Sequence, residues 1–580
     1  MTEAAASATE QSPLILPNSA SSTPSISSIS KSSRTLADSE LNRQDEPAQK
    51  ISALRGALVV TSIGLLIFLQ ATNISILTTT QSAIAADLNA FEKVSWLTSS
   101  YLIAVSSISP LSGRLCQLFS PRLCMFVSTI IVCIGSAITS LSSSFEVFVL
   151  GRAVTGAGAA GILIVATIIA IQMAGAKNRG LYIGLINSGM TVGVSLGAVI
   201  AGAVEPKFGW KILFGIQSPI SLGAGLCLLF GLPAKYIASR GDFAGLPLRQ
   251  KLARVDYFGA ISLTTTILLF LLGLSGPRIL PTPIILSLLL FPLFVINESR
   301  FATDPIIPIA VLRSRGTLLT CLGTVGFMMA RWSVLFFTPV YALAIRNWSP
   351  AVAGSILIPT NAGFALGGLL AGLFHIRRTG SFYVPSLVSM GLFPVTLLAL
   401  ALTSVPSTPA TAYVVLVFLN GLFTGAALNY TLVHALHLTP ASVHPIVLAL
   451  IATFRGFAGS FGSAIGGGFF MRILYKALVE GFQNAGLKHK QGLVRKLMGS
   501  PALVRGLDST DREVAVSAYE IGIRALFLAG MGLSVVMVLI QAGTGWRGPG
   551  EDKENGAGVV EGEGVGEGEV GGEQSLIGGS

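Results

Sequence analysis

Charge is what this 580-residue chain has least of. Asp, Glu, Lys and Arg make up 11% of it, while 52% is hydrophobic. Soluble domains carry about 25% charge, and a soluble fold could not keep this much apolar surface from water with so few charges. The balance excludes a soluble enzyme, a nucleic-acid binder and a secreted scaffold. Cysteine is also scarce: Cys116, Cys124, Cys133, Cys227 and Cys321 lie in or beside apolar runs with no CxxC pair. No disulfide framework, metal site or cofactor is expected. No GxxxxGK[ST] phosphate loop is present, so an ATP-driven pump is not expected. The first residues lack a basic n-region followed by an apolar h-region, so no cleaved signal peptide is expected.

What is present is a series of fourteen apolar runs, each near the ~20 residues that a hydrocarbon core demands. They fall at about 57–77, 95–116, 123–141, 147–172, 181–204, 211–232, 256–274, 280–296, 318–344, 352–374, 383–402, 411–433, 446–470 and 521–540. Only helices satisfy backbone polar groups in such runs, so the expected fold is an all-α polytopic membrane protein. Residues 1–50 are rich in Ser, Thr and Ala, and 541–580 in Gly, Glu and Val. Both read as disordered tails. An even number of spans puts both tails on one side. The loops after runs 2, 4, 6, 8 and 10 hold fourteen Lys and Arg, against five (Lys93, Lys207, Lys211, Arg278, Arg346) in the opposite short loops. By the positive-inside rule the first set, and both tails, are cytoplasmic. The net charge of +11 thus reflects mainly orientation, and no nucleic-acid partner is expected. The basic segment 471–520 falls outside in this scheme, but long loops count little in the rule.

Small residues recur along the runs. Gly189, Gly193, Gly197 and Ala201 stand four apart, a smooth stripe on one helix face. Similar rows occur at Gly156, Gly158 and Gly161, and at Gly459, Ser463 and Gly467. Such faces serve ordinary close packing, or let helix pairs rock in alternating access. Around them stand ordered short motifs: Val94-Ser95-Trp96 before Tyr101-Leu102, Gly113-Arg114-Leu115, and Gly151-Arg152 with Gly156 and Gly158. Gly209-Trp210-Lys211 with Gln217 and Pro219, Asp256-Tyr257 with Gly259, and Phe454-Arg455 with Gly459 follow. In this order and spacing, over 55–540, the chain resembles the major facilitator superfamily, specifically its fungal 14-span drug:proton antiporter-like carriers. The resemblance implies a major facilitator fold of 14 transmembrane helices: two six-helix halves, 51–232 and 316–540, and two extra helices in a linker, 233–315. It also implies a substrate cavity between the halves and a large outer loop, 471–520.

The departures from that pattern concern acidic groups. The family's loop between spans 2 and 3 usually carries an Asp; the gating motif here is Gly113, Arg114, Gln117 and Arg122, with Gln117 at that position. Where the span-5 antiporter motif usually has Gly-Pro, this chain has Gly197-Ala198, and Asn73 stands at the often acidic position of span 1. Proton antiport is therefore the part of the family mechanism that the sequence does not support. A charge inside the bilayer costs ~2.5–3.5 kcal/mol on insertion scales, which marks functional candidates. Asn73, Arg152, Arg331 and Arg455 are the cavity candidates, whereas Glu146, Glu205, Asp256 and Glu298 sit at run ends. Arg152 and Arg455 can equally lock helices together through carbonyls and polar neighbours. Arg331, with Arg152, is expected to make the cavity positive and to favour anionic or acceptor-rich substrates. His434, His437 and His444, near the end of run 12, are alternative proton carriers or plain surface groups.

Other matches carry less. Gly193-Val194-Ser195-Leu196-Gly197 fits GxSxG, but a nucleophile elbow needs a strand–turn–helix context, so no enzyme is expected. The sequons at Asn73 and Asn429 lie in spans; Asn347-Trp348-Ser349, in an outer loop before Pro350, is the glycosylation candidate. Glu10, Leu14 and Ile15 fit an acidic dileucine sorting signal, which sets a vacuolar membrane beside the plasma membrane as the expected location. The expected protein is a monomeric carrier exporting small organic molecules such as toxins, drugs or secondary metabolites. A vacuolar amino-acid carrier and a transport-dead sensor or channel on the same scaffold are the rivals.

Overall fold

The computed structural model describes residues 53–545 apart from 174–178, 233–246, 276–277, 303–304, 308, 373–381, 441–443 and 488–489. The sorting signal at Glu10, Leu14 and Ile15 and nearly all of both tails lie outside the described residues. Among the described residues every regular element is helical. The long helices are α1 Ala53–Asp87, α2 Val94–Leu118, α3 Pro121–Ser140, α4 Phe145–Met173 and α5 Arg179–Phe208. Then come α6 Trp210–Gly231, α7 Tyr257–Ser275, α8 Pro281–Phe301, α9 Arg315–Ala344 and α10 Pro350–Leu370. The last four are α11 Tyr383–Thr403, α12 Ala410–His437, α13 Ile446–Asn484 and α14 Ser509–Ala542.

Thirteen of these are long and apolar enough to cross a membrane. The remaining one, α2, is long enough but rich in serine. Ser99, Ser100, Ser106, Ser107, Ser109 and Ser112 are all buried, so they lower its hydropathy without facing lipid. The opposite case is α8, whose Ile285, Leu288, Leu289 and Phe291 are more than half exposed, as a helix bathed in hydrocarbon requires.

The segment 471–520, expected as a loop, is largely helical. α13 runs on to Asn484, short helices Gln491–Gly499 and Pro501–Gly506 follow, and α14 starts at Ser509. Average hydropathy misses it because only one face is apolar: Leu474, Leu478 and Phe482 recur four apart and are buried. Lys490 donates to both Asp511 carboxylate oxygens at 2.6 Å, and the Tyr519 hydroxyl donates to the Leu497 carbonyl. These contacts bind the short helices to α14.

The helix pairings repeat. α1 packs on α5 and α6, α4 on α2 and α3, and α3 on α6. The same pairings recur eight helices later: α9 on α13 and α14, α12 on α10 and α11, and α11 on α14. Within the first set, the stripe of α5 lies on α1: a Cβ at Gly193 would meet the Phe68 carbonyl oxygen at 2.9 Å, and one at Gly197 the Thr72 Cα at 2.9 Å. α10 and α12 approach more closely still. Gly363 and Gly367 on one face, Gly421 and Gly425 on the other, each leave no room for a Cβ against carbonyls of the partner helix. Absent a hydrophobic drive between helices in lipid, such small-residue contact is what packs them.

Two seams join α1–α6 to α9–α14, and they too are equivalent: α2 against α13, and α5 against α10. They are made of small and hydroxyl residues. Ser99 meets Ser463 at 3.3 Å and Ser106 meets Ser460 at 3.0 Å. Asn361 donates to Ser195 Oγ at 3.2 Å, and Gly354 lies against the Ala198 carbonyl. α7 sits where α2 and α13 meet, with Phe270 against Phe461 and the Leu274 carbonyl accepting from Arg472 at 3.0 Å.

Candidate functional site

The membrane interior holds two arginines at equivalent places. α4 carries Arg152 and α1 carries Asn73, both buried. Arg152 donates to Asn73 Oδ1 at 2.7 Å and to the Asn73 carbonyl at 3.0 Å. The Asn73 amide in turn donates to Gln217 Oε1 on α6 and to the Leu69 carbonyl. The guanidinium lies over the Tyr101 ring of α2, 4.5 Å from its centroid. In the second half, α9 carries Arg331 and α12 carries Asn420. Arg331 donates to Asn420 Oδ1 at 3.0 Å, to Thr360 Oγ1 at 2.5 Å and to the Thr360 carbonyl on α10 at 3.1 Å. Asn420 donates onward to Thr396 Oγ1 on α11 at 2.9 Å. Since α1 corresponds to α9 and α4 to α12, each half holds an Arg–Asn pair between the same two helices, with the residues exchanged.

Neither pair is an ion pair. A buried guanidinium calls for acceptors, and here amide, hydroxyl, carbonyl and aromatic groups supply them without a carboxylate, with Arg152 Nε alone of the Arg152 donors left without a partner. Both arginines are therefore consumed inside their own bundles rather than left to face a ligand, which differs from the expected positive cavity lined by Arg331 and Arg152. Arg455 is different. It is half-buried on α13, and among the described residues its guanidinium makes only a contact with the Phe364 ring of α10, 5.8 Å from its centroid.

The remaining expected residues fall as follows. Gly113 and Arg114 lie in the last turns of α2, where a Cβ at Gly113 would meet nothing within 4 Å. The side chain of Gln117 lies outside the described residues. Arg122 is the second residue of α3, which opens with Ser120 Oγ accepting the Leu123 amide at 3.2 Å and Pro121 at the first position. The sequence Ser120-Pro121 is thus a helix start, with a side-chain cap and a proline where no amide partner is needed. Gly189, Gly193 and Gly197 dock α5 on α1, as described above. Asn347, in the turn between α9 and α10, is half-buried with φ of 55°. Ser195 sits inside a helix, donating to the Thr191 carbonyl at 2.8 Å. Each histidine has its own contacts: His434 meets Thr544 Oγ1 at 3.0 Å, His437 packs on Phe382, and His444 Nε2 faces the Leu436 and Thr439 carbonyls.

Two features are built mainly from residues that the sequence did not single out. A cavity of about 50 Å³ lies between the halves, lined by Thr78, Gln81, Thr98, Phe336, Ser463 and Tyr519 and closed over by Met498 and Pro501 of the short helices. The cap reaches the first half through Arg495 and Glu92, 3.0 Å apart, and through Gly499 against Phe91. The second feature is a stacked pair, Trp332 and Phe336, with ring centroids 5.5 Å apart, both half-buried on α9. Aromatic residues one turn apart in an apolar run look like ordinary span residues, so only the packing distinguishes them.

Together these features define a multi-pass membrane protein with a paired-half helical fold, a seam of small residues and a cavity on it. The chain belongs to the Major Facilitator Superfamily, whose sequence profile matches residues 63–463. Among curated relatives it is 27% identical over 493 residues to the MFS-type transporter clz4 of Cochliobolus lunatus, covering 83% of this chain and 84% of that one. It is 26% identical over 516 residues to the efflux pump apf11 of Gibberella fujikuroi, covering 86% and 89%. It is 27% identical over 434 residues to the vacuolar membrane amino acid uptake transporter fnx2 of Schizosaccharomyces pombe, covering 73% and 74%. A solved bacterial homolog of the human lysosomal transporter Spinster, inward-facing and unoccupied, has the same fold: TM-score 0.59, 14% identity, 85% of this chain and 98% of that one.

Proposed function

We propose that this chain is a monomeric secondary carrier that exports small organic molecules from the cytosol by alternating access. The seam between the halves carries the reading. It is built from serine, glycine and alanine contacts, which separate and re-form without exposing a large apolar face or stranding a buried charge. The two Arg–Asn pairs lie within the halves 51–232 and 316–540, so they stiffen each half and leave the seam free to open. Relatives named as efflux pumps support the direction. Loop charge places both tails in the cytosol, and hence the cap formed by Gln491–Gly499 and Pro501–Gly506 on the outer or lumenal side. Ser195 inside a helix lacks the setting of a nucleophile elbow, which supports a carrier without catalysis.

Coupling to protons is not part of this reading, because the family's span-1 acid is replaced by Asn73, which cannot titrate. Reconstituted protein should therefore show counterflow of its substrate that an imposed pH gradient leaves within twofold. Deletion of the gene should raise sensitivity to an exported toxin or metabolite. The second reading, a vacuolar amino-acid carrier, is favoured by the relative fnx2. It predicts vacuolar fluorescence of a tagged chain and altered vacuolar amino-acid pools on deletion. Absence of flux for every class of candidate in liposomes would support the sensor reading and overturn both.

A further inference from the structure

We infer that Arg455 is the docking point for the anionic group of a planar aromatic substrate. The inference rests on the reading of the chain as a carrier and names the substrate class of its cavity. Of the three arginines named as cavity candidates, Arg152 and Arg331 spend donors on Asn73, Asn420 and Thr360. Arg455 keeps its donors, for no described side chain or carbonyl accepts from it and only the Phe364 ring lies beside it. A half-buried guanidinium without a protein acceptor is open to a ligand, and an anionic oxygen pair is the ligand its planar fork matches best.

Its surroundings fix the rest of the ligand. α13 packs on α9 and α2, and α10 on α12 and α5, so Arg455 reaches Phe364 across the inner face of the second half. One turn along the same face of α13, Gly459 lies against the Trp332 indole, where a Cβ would sit 3.3 Å from the ring. Trp332 stacks on Phe336, whose ring lines the cavity at the seam. The next residue, Gly456, about 100° round the helix, also leaves open space, since a Cβ built there meets nothing within 4 Å. A flat ring can thus lie along the Trp332 side with its acidic group at the guanidinium. A lipid headgroup offers the same anionic oxygens, but the flanking aromatic rings favour a flat solute over acyl chains.

The test measures binding of three naphthalene probes of one shape to the full chain in phosphatidylcholine nanodiscs: 2-naphthoate, neutral 2-naphthylmethanol and cationic 2-naphthylmethylamine. Naphthoate should bind at least tenfold more tightly than the other two. Arg455→Gln should remove that preference while leaving the neutral probe unchanged, which also shows that the variant is folded; Arg455→Lys should restore part of it. Equal affinity for the three probes, no binding of any, or a preference that survives Arg455→Gln would overturn the inference. So would loss of naphthoate binding in phosphatidylglycerol nanodiscs, since the guanidinium would then belong to lipid. If charge preference holds but no flux is found in liposomes, the site stands and the export reading fails. If flux is found without charge preference, the reverse holds.

Discussion

Gly421→Ala adds one methyl group at the α10–α12 contact, the tightest helix contact among the described residues. The new Cβ would run into the Thr360 carbonyl oxygen and lie 3.0 Å from the Phe364 amide and the Thr360 carbonyl carbon. All three are backbone atoms, so no side-chain rotation relieves the overlap. α10 and α12 must part by on the order of 1 Å to recover ordinary contact near 3.5 Å. Overpacking of this type costs about 1–3 kcal/mol. The shift also draws Thr360 from Arg331, which it holds through two bonds of 2.5 and 3.1 Å. Weakening one bond to a buried charge costs about 1.5–3 kcal/mol more. The expected loss is about 3–5 kcal/mol in all. Gly391→Ala on α11 is the control, because a Cβ there meets nothing within 4 Å. It should be neutral or stabilising by up to about 1 kcal/mol through helix propensity. Thermal melting of the full chain in detergent, followed by size-exclusion chromatography, should lower Tm by many degrees for the first variant only. Equal melting of the two would refute the reading of α10–α12 as a carbonyl-to-glycine contact, and with it the coupling to Arg331.

Further outcomes follow from the same geometry. Asn73→Leu removes the Oδ1 acceptor of the buried Arg152 guanidinium, whose Nε already lacks a partner, and should destabilise by about 1.5–3 kcal/mol. Adding Arg152→Met should recover much of that loss in the same melt, and a double variant no better than the single would contradict the pairing. The Arg495–Glu92 pair across the cap is about half exposed on both sides, so it contributes at most ~1 kcal/mol. Glu92→Gln should change the transport rate by no more than about fivefold, with the difference vanishing at high salt; a salt-independent collapse would show a different role. Asn347 stands in the turn between α9 and α10 within the sequon Asn347-Trp348-Ser349, so N-glycosidase treatment should give a mobility shift that Asn347→Gln abolishes, and no shift would disprove that.

How far the sequence reached varies from element to element. Span limits for α3, α7 and α11 are close to the apolar runs because hydropathy alone sets them. The run 95–116 matches α2 despite its buried serines, whereas the one-sided helices after residue 470 defeat an average, since their apolar character belongs to one face. The glycine pairs of α10 and α12 are legible in principle as Gly363-x-x-x-Gly367 and Gly421-x-x-x-Gly425. That they meet each other is not, because the partner of a smooth face is chosen by packing and not by spacing. Gly209 shows the favourable case: its φ of 76° before Trp210 is a conformation that glycine enters freely, and the motif position marks it in advance.

The sequence by itself determined the solvent of this protein. Scarce charge and a series of apolar runs leave only a polytopic helical fold in lipid, because desolvation and insertion act on composition and segment length. Missing acids at Asn73 and Gln117 likewise needed no coordinates. What only the tertiary structure decided was the use of each charge. Arg152, Arg331 and Arg455 are alike in sequence, each a single cation in an apolar run. The first two are satisfied by Asn73, Asn420 and Thr360 brought from other helices, and the third is left with an aromatic ring. Whether a buried donor is spent or available depends on acceptors tens of residues away, and that is settled by which helices pack together.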